Sequence, residues 1–142
     1  MTCILRAGGA DFDVDAFLAG VPFKVHSCWR KGERRFPHSK ANVDVNETSG
    51  VRLLASGSDQ SEFAKQLDDV TSFLDVNLAA VQRLSSFPGV EWALLDFGVA
   101  ISPPGWASFT FPVDLLRLAG AAGVALSLSV YPTDEEGDGQ DR

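Results

Sequence analysis

The chain has 142 residues, 45% of them hydrophobic, with 12 Lys and Arg against 19 Asp and Glu for a net charge of −7. That length suits one domain able to bury a core without staples, and two cysteines exclude a disulfide scaffold. No run of about 20 apolar residues exists to span a membrane, and the start MTCILRAGGADFD lacks the cationic and long apolar segments of a signal peptide, so the expectation is a cytoplasmic protein without membrane contact.

Cys3 to Ala7 reads as a short strand ended by Gly8-Gly9. Asp13 stands at an N-cap position, with Val14, Phe17 and Leu18 spaced for a core and Gly20 closing a short helix. From Phe23 the period becomes two: Phe23, Val25, Ser27 and Trp29 alternate with Lys24, His26, Cys28 and Arg30. A loop over 31–40 leads to a second alternation at Ala41, Val43 and Val45, then Thr48-Ser49-Gly50 as a turn and a third at Val51, Leu53 and Ala55, which together predict a hairpin. Phe63, Leu67, Val70, Leu74, Leu78, Val81 and Leu84 form one helical stripe within 60–86, as one helix or as two joined near Asp75-Val76-Asn77, with Ser58 or Asp59 as cap. Pro88-Gly89 closes it. The nearly continuous apolar run 90–101 predicts a central strand. Ala107, Phe109 and Phe111 suggest a short extended piece, Pro112 a first helical position, and Gly120 or Gly123 the end of that helix. Val124 to Tyr131 alternate as a last strand before Pro132.

This order predicts an α+β two-layer sandwich, a mostly antiparallel sheet with helices on one face, ferredoxin-like with an extra C-terminal αβ unit. Residues 1–133 form the single domain. Asp134, Glu135, Glu136, Asp138 and Asp141 against Arg142 give 134–142 a charge of −4, the pattern of a frayed acidic tail. Lys24, Arg30, Lys31, Arg34, Arg35 and Lys40 against Glu33 give 24–40 a charge of +5, which with Gly32, Pro37 and Ser39 reads as a solvated loop. An acidic chain repels nucleic acid at long range, which argues against that partner.

The chemistry-bearing residues are sparse. His26 and Cys28 lie two apart on a strand, on one face with Lys24 and Arg30, but roughly 7 Å separates such neighbours and prevents a direct hydrogen bond. Cys3, Cys28, His26 and His38 lack the paired spacing of a zinc site, so no metal is expected. Gly8-Gly9 and Gly120/Gly123 match neither phosphate-loop pattern. Asp96, inside an apolar strand, needs a partner or solvent at a bulge. No catalytic residues and no cofactor are assigned. Ser27-Cys28-Trp29-Arg30-Lys31-Gly32-Glu33 is the most distinctive string; Trp29 is expected to anchor the strand end to the core while Gly32 reverses the chain.

At this string the chain resembles the bacterial domain-of-unknown-function family 4279. The matching pieces are Gly9 to Asp15, Trp29-Arg30-Lys31-Gly32-Glu33, the helix from Gln60, and Leu115 to Ala119 through Val124 to Tyr131. The resemblance covers nearly all of the chain except the acidic tail, and only Trp-Arg-Lys-Gly is specific. Relatives often carry a Trp where Val51-Arg52-Leu53 stands and an acidic residue where Ser129 stands. The family implies this fold and no catalytic residues.

Two functions are therefore expected. The first is a non-enzymatic interaction domain, in concrete form an immunity-type protein that blocks a basic toxin through charge complementarity. The alternative is a binder of a small anionic ligand, or an enzyme, using the basic loop 30–35. Its site would be formed by His26, Cys28, Trp29, Arg30, Lys31, Arg34 and Arg35. An edge strand and an acidic surface are compatible with a homodimer.

Overall fold

Alternate apolar residues need a second layer to cover them, and helices supply it. The computed structural model describes residues 3–20, 24–35, 44–103 and 105–133. Its elements are β1 (Cys3–Gly9), α1 (Val14–Leu18), β2 (Ser27–Trp29), β3 (Ser49–Ser56), α2 (Phe63–Val76), α3 (Leu78–Ser85), β4 (Trp92–Ile101), α4 (Val113–Ala122) and β5 (Ala125–Pro132). The five strands lie in the order β2-β3-β1-β4-β5. The first three pairings are antiparallel and β4–β5 is parallel. The first four strands thus carry the split βαβ arrangement, and α4 with β5 adds an αβ unit at one edge. The expected two-layer α+β sandwich is the observed architecture.

Cys3, Leu5 and Ala7 of β1, Val51, Leu53 and Ala55 of β3, and Leu95, Phe97 and Val99 of β4 are buried on one sheet face. Against them pack Val70 and Leu74 of α2, Val81 and Leu84 of α3, and Leu115, Ala119 and Ala122 of α4. The helical stripe breaks at Asn77, whose Nδ2 donates to the Phe73 carbonyl at 3.0 Å, so the residues 60–86 form two helices. Asp13 caps α1 as expected, accepting from the Ala16 N–H at 3.1 Å. Gly123, at φ 77°, ends α4 in the left-handed conformation that glycine adopts without penalty.

Four expectations are corrected. Gly8 and Gly9 do not end β1; they continue it and pair with Gly50 and Ser49. Ser49 and Gly50 likewise open β3 instead of forming a turn. The hairpin neighbour of β3 is β2, while Val45 pairs with Arg34 in a separate ribbon. The residues 107–111 form no strand; Phe109 and Phe111 close a ring cluster with Phe63 and Phe97 at centroid distances of 5.1–5.9 Å. Close approach of neighbouring groups at the glycines and ring packing at Phe109 and Phe111 override the local pattern there. Phe23, the alternation at 41–43, His38 and the tail 134–142 lie outside the described residues.

Candidate functional site

Side chains alternate across a sheet, so the residues between the core positions form a second face, which no helix among the described residues covers. There the register lines up one row across four strands: Trp29 of β2 opposite Gly50 of β3, Gly50 opposite Gly8 of β1, and Gly8 opposite Trp92 of β4. The two indoles lean inward over the two glycines. Their ring centroids are 6.1 Å apart and their planes 17° from parallel. A Cβ on Gly8 would stand 3.0 Å from Trp92 and 3.1 Å from Trp29, and one on Gly50 would collide with the Trp29 ring. The glycines form the floor on which the rings rest.

Trp29 is thereby displaced from its expected place. Pairing puts Cys28 opposite buried Val51 and Trp29 opposite Gly50, so the cysteine packs against the core and the tryptophan lies on the uncovered face. A period of two does not say which face is which, and this sheet carries apolar groups on both. The Trp29 Nε1–H donates to Thr48 Oγ1 at 3.1 Å, which fixes the ring.

The next row places Arg52 of β3 directly opposite Arg6 of β1. The Arg52 guanidinium lies over the Trp29 ring at 4.5 Å and donates to Ser27 Oγ at 3.3 Å. Burial first, and then the Arg6 charge, hold its pKa below the ordinary guanidinium value. Arg6 pairs instead with Asp96 of β4, Nη2 to Oδ2 at 3.1 Å. The other carboxylate oxygen accepts from Ser129 Oγ at 2.6 Å. Asp96 is thus an anchored counterion for Arg6.

One wall stands above this face. Gly32 donates to the Asn46 carbonyl at 2.9 Å, Asn46 to the Glu33 carbonyl at 2.8 Å, and Arg35 to the Asp44 carbonyl at 2.9 Å, making a two-stranded ribbon of 32–35 and 44–46. Between ribbon and sheet lies a cleft of about 720 Å³, bordered by both indoles, by Arg6 and Arg52 from below, and by Arg34 and Arg35 from the wall. Those four arginines, set against Glu33 and Glu47, give the lining a formal charge of +2 in a chain of −7. No family model, curated protein or solved structure matches the chain.

Of the residues expected at a site, Trp29, Arg34 and Arg35 border the cleft, and so does Cys28. Arg30 turns away to Asp15, Nη2 to Oδ1 at 2.8 Å; this bond lowers the Asp15 pKa and raises that of Arg30. Lys31 is exposed, its backbone N–H held by Ser49 Oγ at 2.8 Å, and His26 is exposed, its backbone N–H held by the Arg52 carbonyl at 2.8 Å. Neither borders the cleft. Sequence reasoning missed Arg6, Arg52 and Trp92, which come from strands far apart in the chain. The available signal was the isolated glycine in a strand pattern, which marks a close approach by another group. Buried Cys3 has its thiol pKa raised, chiefly by desolvation and then by Asp96, so it stays protonated and unreactive. Among the described residues no group of three or more His, Cys, Asp or Glu side chains is arranged to hold a metal ion.

Proposed function

We propose that this chain is a binding domain whose cleft on the uncovered sheet face receives a small anionic ligand. The observation that carries this reading is the direct opposition of Arg6 and Arg52. Like charges across a strand pair are destabilising, and Asp96 compensates Arg6 alone. An anion in the cleft relieves the remaining repulsion and gains charge-assisted hydrogen bonds. The net charge of −7 supports a basic partner only in general terms, whereas the cleft is one defined site of the opposite sign.

The test is the change in melting temperature with inorganic phosphate, sulfate and citrate. Ligand at about ten times its Kd adds ~1.4 kcal/mol, which is about 5 °C in a domain of this size. Arg52→Ala should abolish the ligand-dependent rise, and Arg30→Ala, outside the cleft, should keep it. A wild-type protein whose melting temperature no anion raises would overturn the reading.

A further inference from the structure

The anion site is also an aromatic site, and the two properties meet at one residue. Arg52 faces the Trp29 ring and, among the described residues, makes no ion pair. Trp29 is fixed from several sides, by Thr48, by the glycine floor and by the nearly parallel Trp92. A rigid π surface costs little ordering entropy when another flat ring is laid on it. Arg34 and Arg35 border the same cleft, and guanidinium forks match the three acceptor oxygens of a phosphate better than a monocarboxylate of single charge. An inorganic anion would use the arginines and leave the indoles idle; a neutral aromatic compound would cover guanidinium groups without satisfying them.

We infer that the ligand is a nucleoside phosphate, its base extending the Trp29–Trp92 stack and its phosphate held by Arg52 and the ribbon arginines. This rests on the anion-binding reading above and names the ligand class for the same cleft. Stacking on aromatic side chains beside a cationic groove is the general means by which proteins hold single bases without pairing them. The cleft volume of about 720 Å³ lies within the range of roughly 300–1,000 Å³ typical of small-ligand sites. The overall charge of −7 repels a long polyanion and favours a mononucleotide or a short single strand.

Tryptophan fluorescence tests this directly in a Trp106→Phe background, since Trp106 is 79% exposed and would add an unresponsive signal. The probes are the four ribonucleoside monophosphates, a tetranucleotide RNA, adenosine and inorganic phosphate. The expected result is saturable quenching by at least one nucleotide probe, at least tenfold tighter than by adenosine or phosphate. Trp92→Leu and Arg52→Gln, each confirmed folded by circular dichroism, should each weaken it at least tenfold. A tetranucleotide tenfold tighter than any monophosphate identifies a strand as the source, and equal affinities identify free nucleotide. Phosphate binding as tightly as every nucleotide would overturn this inference and leave the anion site standing. A cleft that binds none of the probes, with no anion raising the melting temperature, would overturn both.

Discussion

Gly50 and Gly8 illustrate how a missing side chain can be the informative one. Each sits in a strand, where glycine is ordinarily unfavourable; the Trp29 indole occupies the space a Cβ on Gly50 would fill, and a Cβ on Gly8 would be crowded by the Ser49 carbonyl oxygen and by both indoles. Gly50→Ala is expected to lift Trp29 off its floor, breaking its bond to Thr48, and to cost about 1–3 kcal/mol as an overpacked site; urea denaturation followed by tryptophan emission measures both effects. Asp96 was conspicuous in the sequence as a carboxylate in an apolar strand, and its need for a partner was legible there. The identity of the partner was not, because Arg6 lies on another strand and only register brings it near. Asp96→Ala removes the acceptor for Arg6 and Ser129 together and leaves Arg6 facing Arg52 uncompensated. With Asp96 only 20% exposed and Arg6 38%, the loss should be about 1–2 kcal/mol. A loss under about 0.5 kcal/mol would mean that water serves Arg6 as well as the carboxylate does.

Among the elements, those with a single apolar face were legible and those with two were not. The stripe through Leu67, Val70, Leu74, Val81 and Leu84 announces a helical face, and all five are buried. The strand around Trp29 carries apolar residues at both parities, so its alternation does not fix the phase, and the pairing reverses the expected sides of Trp29 and Cys28. The alternation through Ala41, Val43 and Val45 predicts a hairpin with β3, whereas Val45 pairs with Arg34 in the stretch expected to be a loop, since local alternation does not name its pairing partner. The turn into α2 shows a different logic. Ser56 and Ser58 hydroxyls both donate to Asp69 Oδ2, at 2.7 and 2.6 Å, tying the end of β3 to the second turn of α2. These bonds, Ser58 first, hold the Asp69 carboxyl below its ordinary range. A carboxylate with a lowered folded-state pKa stabilises the fold above its ordinary, unfolded value, and that stabilisation is lost as pH falls through the lowered one. The melting temperature of Asp69→Asn should therefore depend less on pH than the wild type's below about pH 5, with the two curves parallel above it. The effect is small, because Asp69 is exposed to solvent.

At the scale of the whole molecule, the order of elements was enough to reach the architecture. A short strand–helix–strand unit, a hairpin and a long helical crossover leave few ways to cover one sheet face. The cleft was not reachable that way. It depends on four strands presenting Trp29, Gly50, Gly8 and Trp92 at one level, and on the ribbon standing beside them. That row also bears on how the chain assembles. β2 and β4 are not hydrogen-bonded to each other; each docks on an opposite side of the β3–β1 pair. The indoles they carry can meet only when both outer strands have closed around the glycine centre, after the crossovers through α1 and through α2 and α3 have formed. Such contacts, distant in sequence, carry the loop-closure cost that slows folding. Two nearly parallel indoles at this separation couple their electronic transitions, so the chain contains its own optical clock, started when refolding begins and read when the fourth strand arrives.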